Sequence, residues 1–179
     1  ALQEAAGFVT GNSPAGSGDY VVAPFSSGEL VGLRVDTGRA SWNESLIGAR
    51  GEVRAFGNLT DIRGRPVIDR GLVLAMGTAG QLSAVDLNSG QRLWERGIGG
   101  SQTPWAAGRF VFVTTSSADV VAVGRNNGKI KWVTPLTQYE DAKRRKPVLW
   151  SGPVLAGDRL LVAGTLGDLL AISPYTGEV

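Results

Sequence analysis

The chain contains no cysteine and no histidine. Their absence excludes Cys/His zinc sites, disulfide frameworks, c-type haem attachment, thiol catalysis and every triad that needs an imidazole base. A calcium or magnesium site built from oxygen ligands stays open. No apolar run approaches the ~18 residues that a membrane helix needs. The opening residues, ALQEAAGFVTG, carry neither an initiator Met nor a basic stretch, so they do not read as a signal peptide. The expectation is a chain whose leader has been removed, or one that begins within a longer protein. An excess of one charge is also missing: 18 Lys and Arg face 16 Asp and Glu, for a net +2. That balance gives no ground for wholesale nucleic-acid binding, which needs a concentrated basic face. Nor does any segment sustain a 3.6-residue apolar period, so helices should be minor.

Glycine is abundant, at 26 of 179 residues, and its placement is regular. Four segments align without internal gaps. The first runs from Pro14 to Trp42 and contains GELVGLRVDTGRASW. The second, Pro66 to Trp94, contains GQLSAVDLNSGQRLW. The third, Pro104 to Trp132, contains ADVVAVGRNNGKIKW. The fourth starts at Pro153 and contains GDLLAISPYTGEV. The interval from the Pro to the small residue opening the third strand is the same in every copy (Gly28, Gly80, Ala118, Gly167). The next interval, to Gly38, Gly90, Gly128 and Gly177, is also fixed. So is the step from that Gly to Trp42, Trp94 and Trp132.

Within each copy, short runs of β-formers are separated by Gly, Asn and Asp, which are hairpin signals. PVIDRGLVLAMG reads as a short strand after Pro66, a turn at Asp69-Arg70-Gly71 and an apolar strand to Met76. Four short antiparallel strands in a repeat of this length predict an all-β fold, a β-propeller of four-stranded antiparallel blades. The blades are expected at about 14–42, 66–94, 104–132 and 153–179, the last one incomplete. One blade cannot bury both of its faces alone, so neighbours must stack. The repeat glycines answer to turns with positive φ, and Trp42, Trp94 and Trp132 read as wedges between adjacent blades. Asp86 reads as a cap on the turn that follows it. All variation in spacing falls in the connectors Asn43–Arg65, Glu95–Thr103 and Val133–Gly152. The first and third are long, and long connectors on an economical scaffold are where function tends to sit.

The repeat A-x-D-x-x-[ST]-G-x-x-x-W, met in full in AVDLNSGQRLW, resembles the pyrroloquinoline-quinone-type propeller repeat. Quinoprotein dehydrogenases carry it, and so does the non-catalytic family of the outer-membrane protein assembly factor BamB. The stretches GNLTDIRGRPVIDRGLVLAMGTAGQLSAVDLNSGQRLW and PLTQYEDAKRRKPVLWSGPVLAGDRLLV are more similar to the BamB family, the second to its α-proteobacterial type. This resemblance implies about half of an eight-bladed propeller. It implies a periplasmic protein at the inner leaflet of the outer membrane, held by a lipid anchor that would lie outside this chain. It further implies binding to the periplasmic domains of BamA, alongside other assembly-complex proteins, through inter-blade connectors. In LTDIRGRP, Asp61 matches the first Asp of the family's partner-binding motif, and Arg63 stands where the second Asp would be. Phe8 is the large apolar residue kept in the other partner loop.

Leu59 and Ile62 are expected to be buried by a partner at a rim. Tyr139, Trp150, Arg63 and Arg65 are candidates because aromatics and Arg dominate interfaces; Trp150 also reads as core. An enzyme of the quinoprotein class would need a calcium, an Asp base and a Trp floor and cap gathered from several blades. The acidic residues here are scattered, so no catalytic residue, metal or cofactor is expected. The run Lys143–Lys146, preceded by Glu140 and Asp141, reads as a solvated loop, with contact to an acidic partner or anionic headgroups as the sharper alternative. An open repeat end leaves an apolar face and an unpaired edge; the expectation is a fragment of a longer protein, with self-association of two copies as the alternative.

Overall fold

The computed structural model describes residues 13–46, 62–78 and 80–179, and every regular element among them is a β-strand. The chain divides into two compact units, Ala1–Thr103 and Pro104–Val179. In the first unit, one sheet is β1 (Ala15–Ser17), β2 (Tyr20–Pro24), β3 (Glu29–Arg34) and β4 (Ala40–Ser45). The next is β5 (Val67–Asp69), β6 (Leu72–Gly77), β7 (Gln81–Asp86) and β8 (Arg92–Arg96). The second unit holds β9 (Trp105–Ala107), β10 (Phe110–Thr114), β11 (Asp119–Gly124) and β12 (Ile130–Pro135). Its other sheet is β13 (Trp150–Ala156), β14 (Arg159–Gly164) and β15 (Leu169–Ile172). Each sheet is an antiparallel meander in chain order, as in a propeller blade.

The turn after the third strand of each sheet is built identically four times. The glycine N–H donates to the carbonyl four residues back: Gly38 to Arg34 at 2.8 Å, Gly90 to Asp86 at 2.9 Å, Gly128 to Gly124 at 2.7 Å and Gly177 to Ser173 at 2.9 Å. The earlier residue returns a bond to the carbonyl just past the glycine, as in Asp86 to Gln91 at 2.8 Å and Ser173 to Glu178 at 2.7 Å. These glycines have φ of 65°, 73°, 62° and 79°, where a Cβ would be strained.

One residue after each complete turn does not fit the ladder. The pairing shifts between Gly32 and Leu33, between Ala84 and Val85, and between Ala122 and Val123. The last strand therefore carries a bulge just before its tryptophan, and a bulge re-aims the side chain that follows it. Trp42, Trp94 and Trp132 consequently lie opposite Gly32, Ala84 and Ala122, all small residues. At Gly32 the indole of Trp42 fills the space that a Cβ would need.

In the first unit, Val22 and Leu30 of one sheet pack with Val73, Ala75 and Val85 of the next. In the second, Phe112, Val120 and Ala122 pack with Leu160, Val162 and Ile172. Alternation along each strand supplies both faces. The outer face of the last sheet differs: Leu169 is 67% exposed, whereas Leu30, Leu82 and Val120 at the same register are fully buried.

Candidate functional site

Each unit contains one junction made by a repeat tryptophan. The Trp42 indole N–H donates to the Leu87 carbonyl at 2.7 Å, and its ring lies against Gly90. A methyl group on Gly90 would sit 2.6 Å from Trp42 Cβ and Cγ. In the other unit, the Trp132 indole N–H donates to the Pro174 carbonyl at 3.2 Å, and a methyl group on Gly177 would sit 2.8 Å from Trp132 Cδ2. Leu87 and Pro174 hold the same position in the repeat, three residues before the turn glycine. The glycine therefore serves twice, once for its backbone angle and once as floor for the ring. Trp94 is also buried, opposite Ala84.

The turns are capped by side chains. Asp86 Oδ1 accepts from the Ser89 N–H and Ser89 Oγ, both at 2.8 Å, and from the Asn88 N–H at 3.1 Å. The Ser89 backbone bond leads the causes that hold the Asp86 carboxyl below the usual range; the Ser89 hydroxyl and the Asn88 N–H add to it. Ser173 does the same job with a hydroxyl, accepting from Tyr175 and Thr176. In the first copy Asp36 instead accepts from Arg34 Nε at 3.4 Å, and that bond chiefly lowers its pKa.

A clamp that the repeat pattern does not single out joins the first two sheets. Arg92 Nε donates to Glu44 Oε1 at 2.6 Å, while its terminal nitrogens reach Glu95 and the Ser45 carbonyl. Burial by itself would lower the Arg92 pKa, but the bonds to Glu44 and Glu95 outweigh it and raise it. Its signal in the sequence is the opposite charge two residues past the glycine (Arg92) and two past the preceding tryptophan (Glu44).

The candidate partner residues separate into distinct places. Leu59, Asp61 and Phe8 lie outside the described residues. Ile62, expected at a partner-facing rim, is instead 0% exposed, packed among Val22, Leu30, Trp42 and Leu46. An apolar β-branched side chain next to the tryptophan gains more from the core than from a rim. Arg63 and Arg65 are exposed. The Arg65 N–H donates to Thr103 Oγ1 at 3.1 Å, and Gly64 lies against the Gln102 backbone. The end of the first connector is thus fixed on the end of the second.

Trp150 belongs to the core and not to a free surface. It is 6% exposed, clusters with Val148 and Leu160, and donates its indole N–H to the Thr137 carbonyl at 2.8 Å. Tyr139 is half-exposed on the connector between β12 and β13. That connector is an added hairpin: Val148 N–H donates to Gln138 O and Glu140 N–H to Lys146 O, both at 2.9 Å, around a Tyr139–Pro147 bridge. Arg145 pairs with Asp141 and Lys146 with Glu140, so the basic run, expected as a solvated loop, is the tip of this hairpin. Tyr139 belongs to the second unit, and Arg63 and Arg65 to the first. Among the described residues no three carboxylates gather as a metal site would require.

Meander sheets carrying the tryptophan seat in fixed register define the class as a β-propeller of the pyrroloquinoline-quinone repeat type. A family model described as outer membrane protein assembly factor BamB matches residues 1–134, and the chain belongs to that family. It is 29% identical over 168 residues to the BamB of Alkalilimnicola ehrlichii, covering 94% of this chain and 42% of that one. With the BamB of Escherichia coli K12 the identity is 28% over 134 residues, or 74% of this chain and 33% of the relative. The chain therefore spans less than half the length of these curated relatives. Among solved structures, BamB from Moraxella catarrhalis superposes with a TM-score of 0.69 at 18% identity, over 96% of this chain and 51% of that one. The quinohemoprotein alcohol dehydrogenase of Comamonas testosteroni gives 0.66 at 15% identity, over 94% of this chain and 34% of that one. At such identities the structural likeness speaks for the fold alone.

Proposed function

We propose that this chain is part of a non-catalytic scaffold in the machinery that assembles β-barrel proteins in the outer membrane. It works in the periplasm, at the inner leaflet of the outer membrane, and binds the periplasmic domains of BamA through connectors between blades. The observation that carries this reading is the family match over residues 1–134. A local feature supports it: the connector end bearing Arg63 and Arg65 is exposed while its backbone is held at Thr103 and Gln102. A rigid scaffold that presents exposed arginines at fixed positions loses little entropy on binding.

The test uses the full-length parent and the purified periplasmic domains of BamA. Saturable binding is expected, with the affinity changed by Asp61→Ala and by Arg63→Glu. No binding at tens of micromolar would count decisively against the reading. The dehydrogenase reading has a direct test of its own: titration with pyrroloquinoline quinone, followed by absorbance. Saturable uptake with dye-linked alcohol oxidation would replace a scaffold with an enzyme.

A further inference from the structure

The hairpin between β12 and β13 is firmly rooted. Leu136 N–H donates to the Ala118 carbonyl and Gln138 Nε2 to the Ser117 carbonyl, each at 2.8 Å. Leu136 and Val148 enter the same core cluster as Trp150. At the tip, Arg144 N–H closes a turn onto the Asp141 carbonyl at 3.0 Å, and Arg144 itself sits at φ 55°. Glycine takes that angle freely and arginine does not. Backbone strain at an exposed tip is a reason to ask what the strained side chain is for.

The charges at the tip are not interchangeable. Asp141 is occupied by Arg145, through Nε at 3.2 Å and the backbone N–H at 3.0 Å. Glu140 is occupied by Lys146 at 3.1 Å. Lys143 is exposed and makes no ion pair among the described residues, and the Arg144 guanidinium lies 5.8 Å above the centre of the Tyr139 ring. An arginine resting on an aromatic face is held in place, with N–H groups left to meet a carboxylate two at a time. Arg and Tyr are also among the residue types that dominate binding energy at protein interfaces.

We propose that this hairpin tip is a docking site for a carboxylate-rich protein segment, with Arg144 as its anchor, Tyr139 as the support of that anchor and Lys143 as a second cation. A protein segment fits better than a membrane. Anionic bilayers are held by clusters of about four to eight basic residues, and here two of the four cations are already neutralised. The proposal is independent of the assembly-factor reading, because its probe is a peptide of known sequence.

The experiment titrates the chain into a fluorescent, end-blocked hexapeptide of alternating Asp and Glu, read by anisotropy at about 50 mM salt, where screening is modest. Saturable binding is expected, with a loss of about tenfold or more in Arg144→Glu. Arg144→Lys keeps the charge without the planar fork and should lose about fivefold. Arg144→Gly should raise the unfolding midpoint, by relieving the strained angle, while lowering peptide affinity. A merely structural arginine would not separate those two readouts. Arg159→Glu removes the same charge at the start of β14 and should stay within about twofold of the parent. An equal loss in Arg159→Glu and Arg144→Glu, or an unchanged Arg144→Lys, would overturn the proposal. So would binding to phosphatidylglycerol vesicles without binding to the peptide, or binding to neither.

Discussion

At the junction of the first two sheets, Trp42 reaches the Leu87 carbonyl over Gly90; at the junction of the last two, Trp132 reaches the Pro174 carbonyl over Gly177. Around these equal seats the surroundings diverge. Two residues past each tryptophan stand Glu44 and Thr134, and two past each glycine stand Arg92 and Val179. Glu44 meets Arg92 in a half-buried ion pair, whereas Thr134 donates a single neutral bond to the Gly177 carbonyl at 2.5 Å. Trp42 is buried and Trp132 only partly so. The seat thus belongs to the repeat, because bulge, small residue and turn glycine impose it. The clamp beside it is free to vary, because nothing in the meander fixes its chemistry.

The largest effect should come from emptying the seat. Trp42→Ala removes a buried aromatic and its hydrogen bond, at a cost of ~3–5 kcal/mol by urea unfolding. Trp132→Ala should cost about 1 kcal/mol less, since part of that ring is already solvated. Equal losses would mean that the greater exposure of the Trp132 ring does not weaken its seat.

Next comes the floor of the seat. Gly38 and Gly90 share the same turn and nearly the same φ, 65° and 73°, but of the two only Gly90 lies under a ring; among the described residues, chain neighbours aside, no atom stands within 4 Å of a Cβ on Gly38. Gly38→Ala should cost about 1 kcal/mol for backbone strain. Gly90→Ala should cost ~2–4 kcal/mol, adding the overlap with Trp42. Matching values would reduce the glycine to its turn and remove its role as floor.

The clamps should follow. Arg92→Met leaves Glu44 without its cation and should lose ~1–2 kcal/mol at low salt. That loss should shrink at about 1 M salt, where charges are screened within a few ångströms. Thr134→Val should lose about 1 kcal/mol with no salt dependence. Unfolding at two salt concentrations separates an ionic clamp from a neutral one.

Half of the seat is legible in the residues alone. Fixed intervals give away the turn glycines and Trp42, Trp94 and Trp132, because a repeat that must stack on itself cannot shift its register. The partner of the ring is not legible: a carbonyl acceptor on the next sheet leaves no mark on residue type, and Leu87 and Pro174 share nothing else. The bulge hides for the same reason, since Ser41, Leu93 and Lys131 at the extra position have no common chemistry. One trace exists in Gly32, Ala84 and Ala122, small because a tryptophan covers them. In the connectors the pattern misleads. Ile62 reads as a rim residue and Trp150 as either partner residue or core, and both close the core, because an apolar side chain outside a repeat can still be buried by it. The basic run Lys143–Lys146 conceals a hairpin because its ion pairs, to Glu140 and Asp141, are local and its core contacts, through Leu136 and Val148, are not.

The smallest expected effect concerns the turn caps, where one copy uses a carboxylate and another a hydroxyl. Asp86 accepts two backbone N–H bonds and one hydroxyl, and they depress its folded pKa below the unfolded value of about 3.9. For a depressed carboxylate, the stabilisation is fully present above the unfolded pKa and is lost as the pH falls through the folded one. Unfolding midpoints of the parent should therefore hold from about pH 7 down to about pH 5 as far as this turn is concerned, and decline below about pH 4. Asp86→Ser gives this turn the cap that Ser173 provides in the last sheet. It should cost a few tenths of a kcal/mol at neutral pH, in the range of an exposed turn bond, and flatten the acid slope. An acid slope unchanged in Asp86→Ser would show that the decline does not arise at this turn.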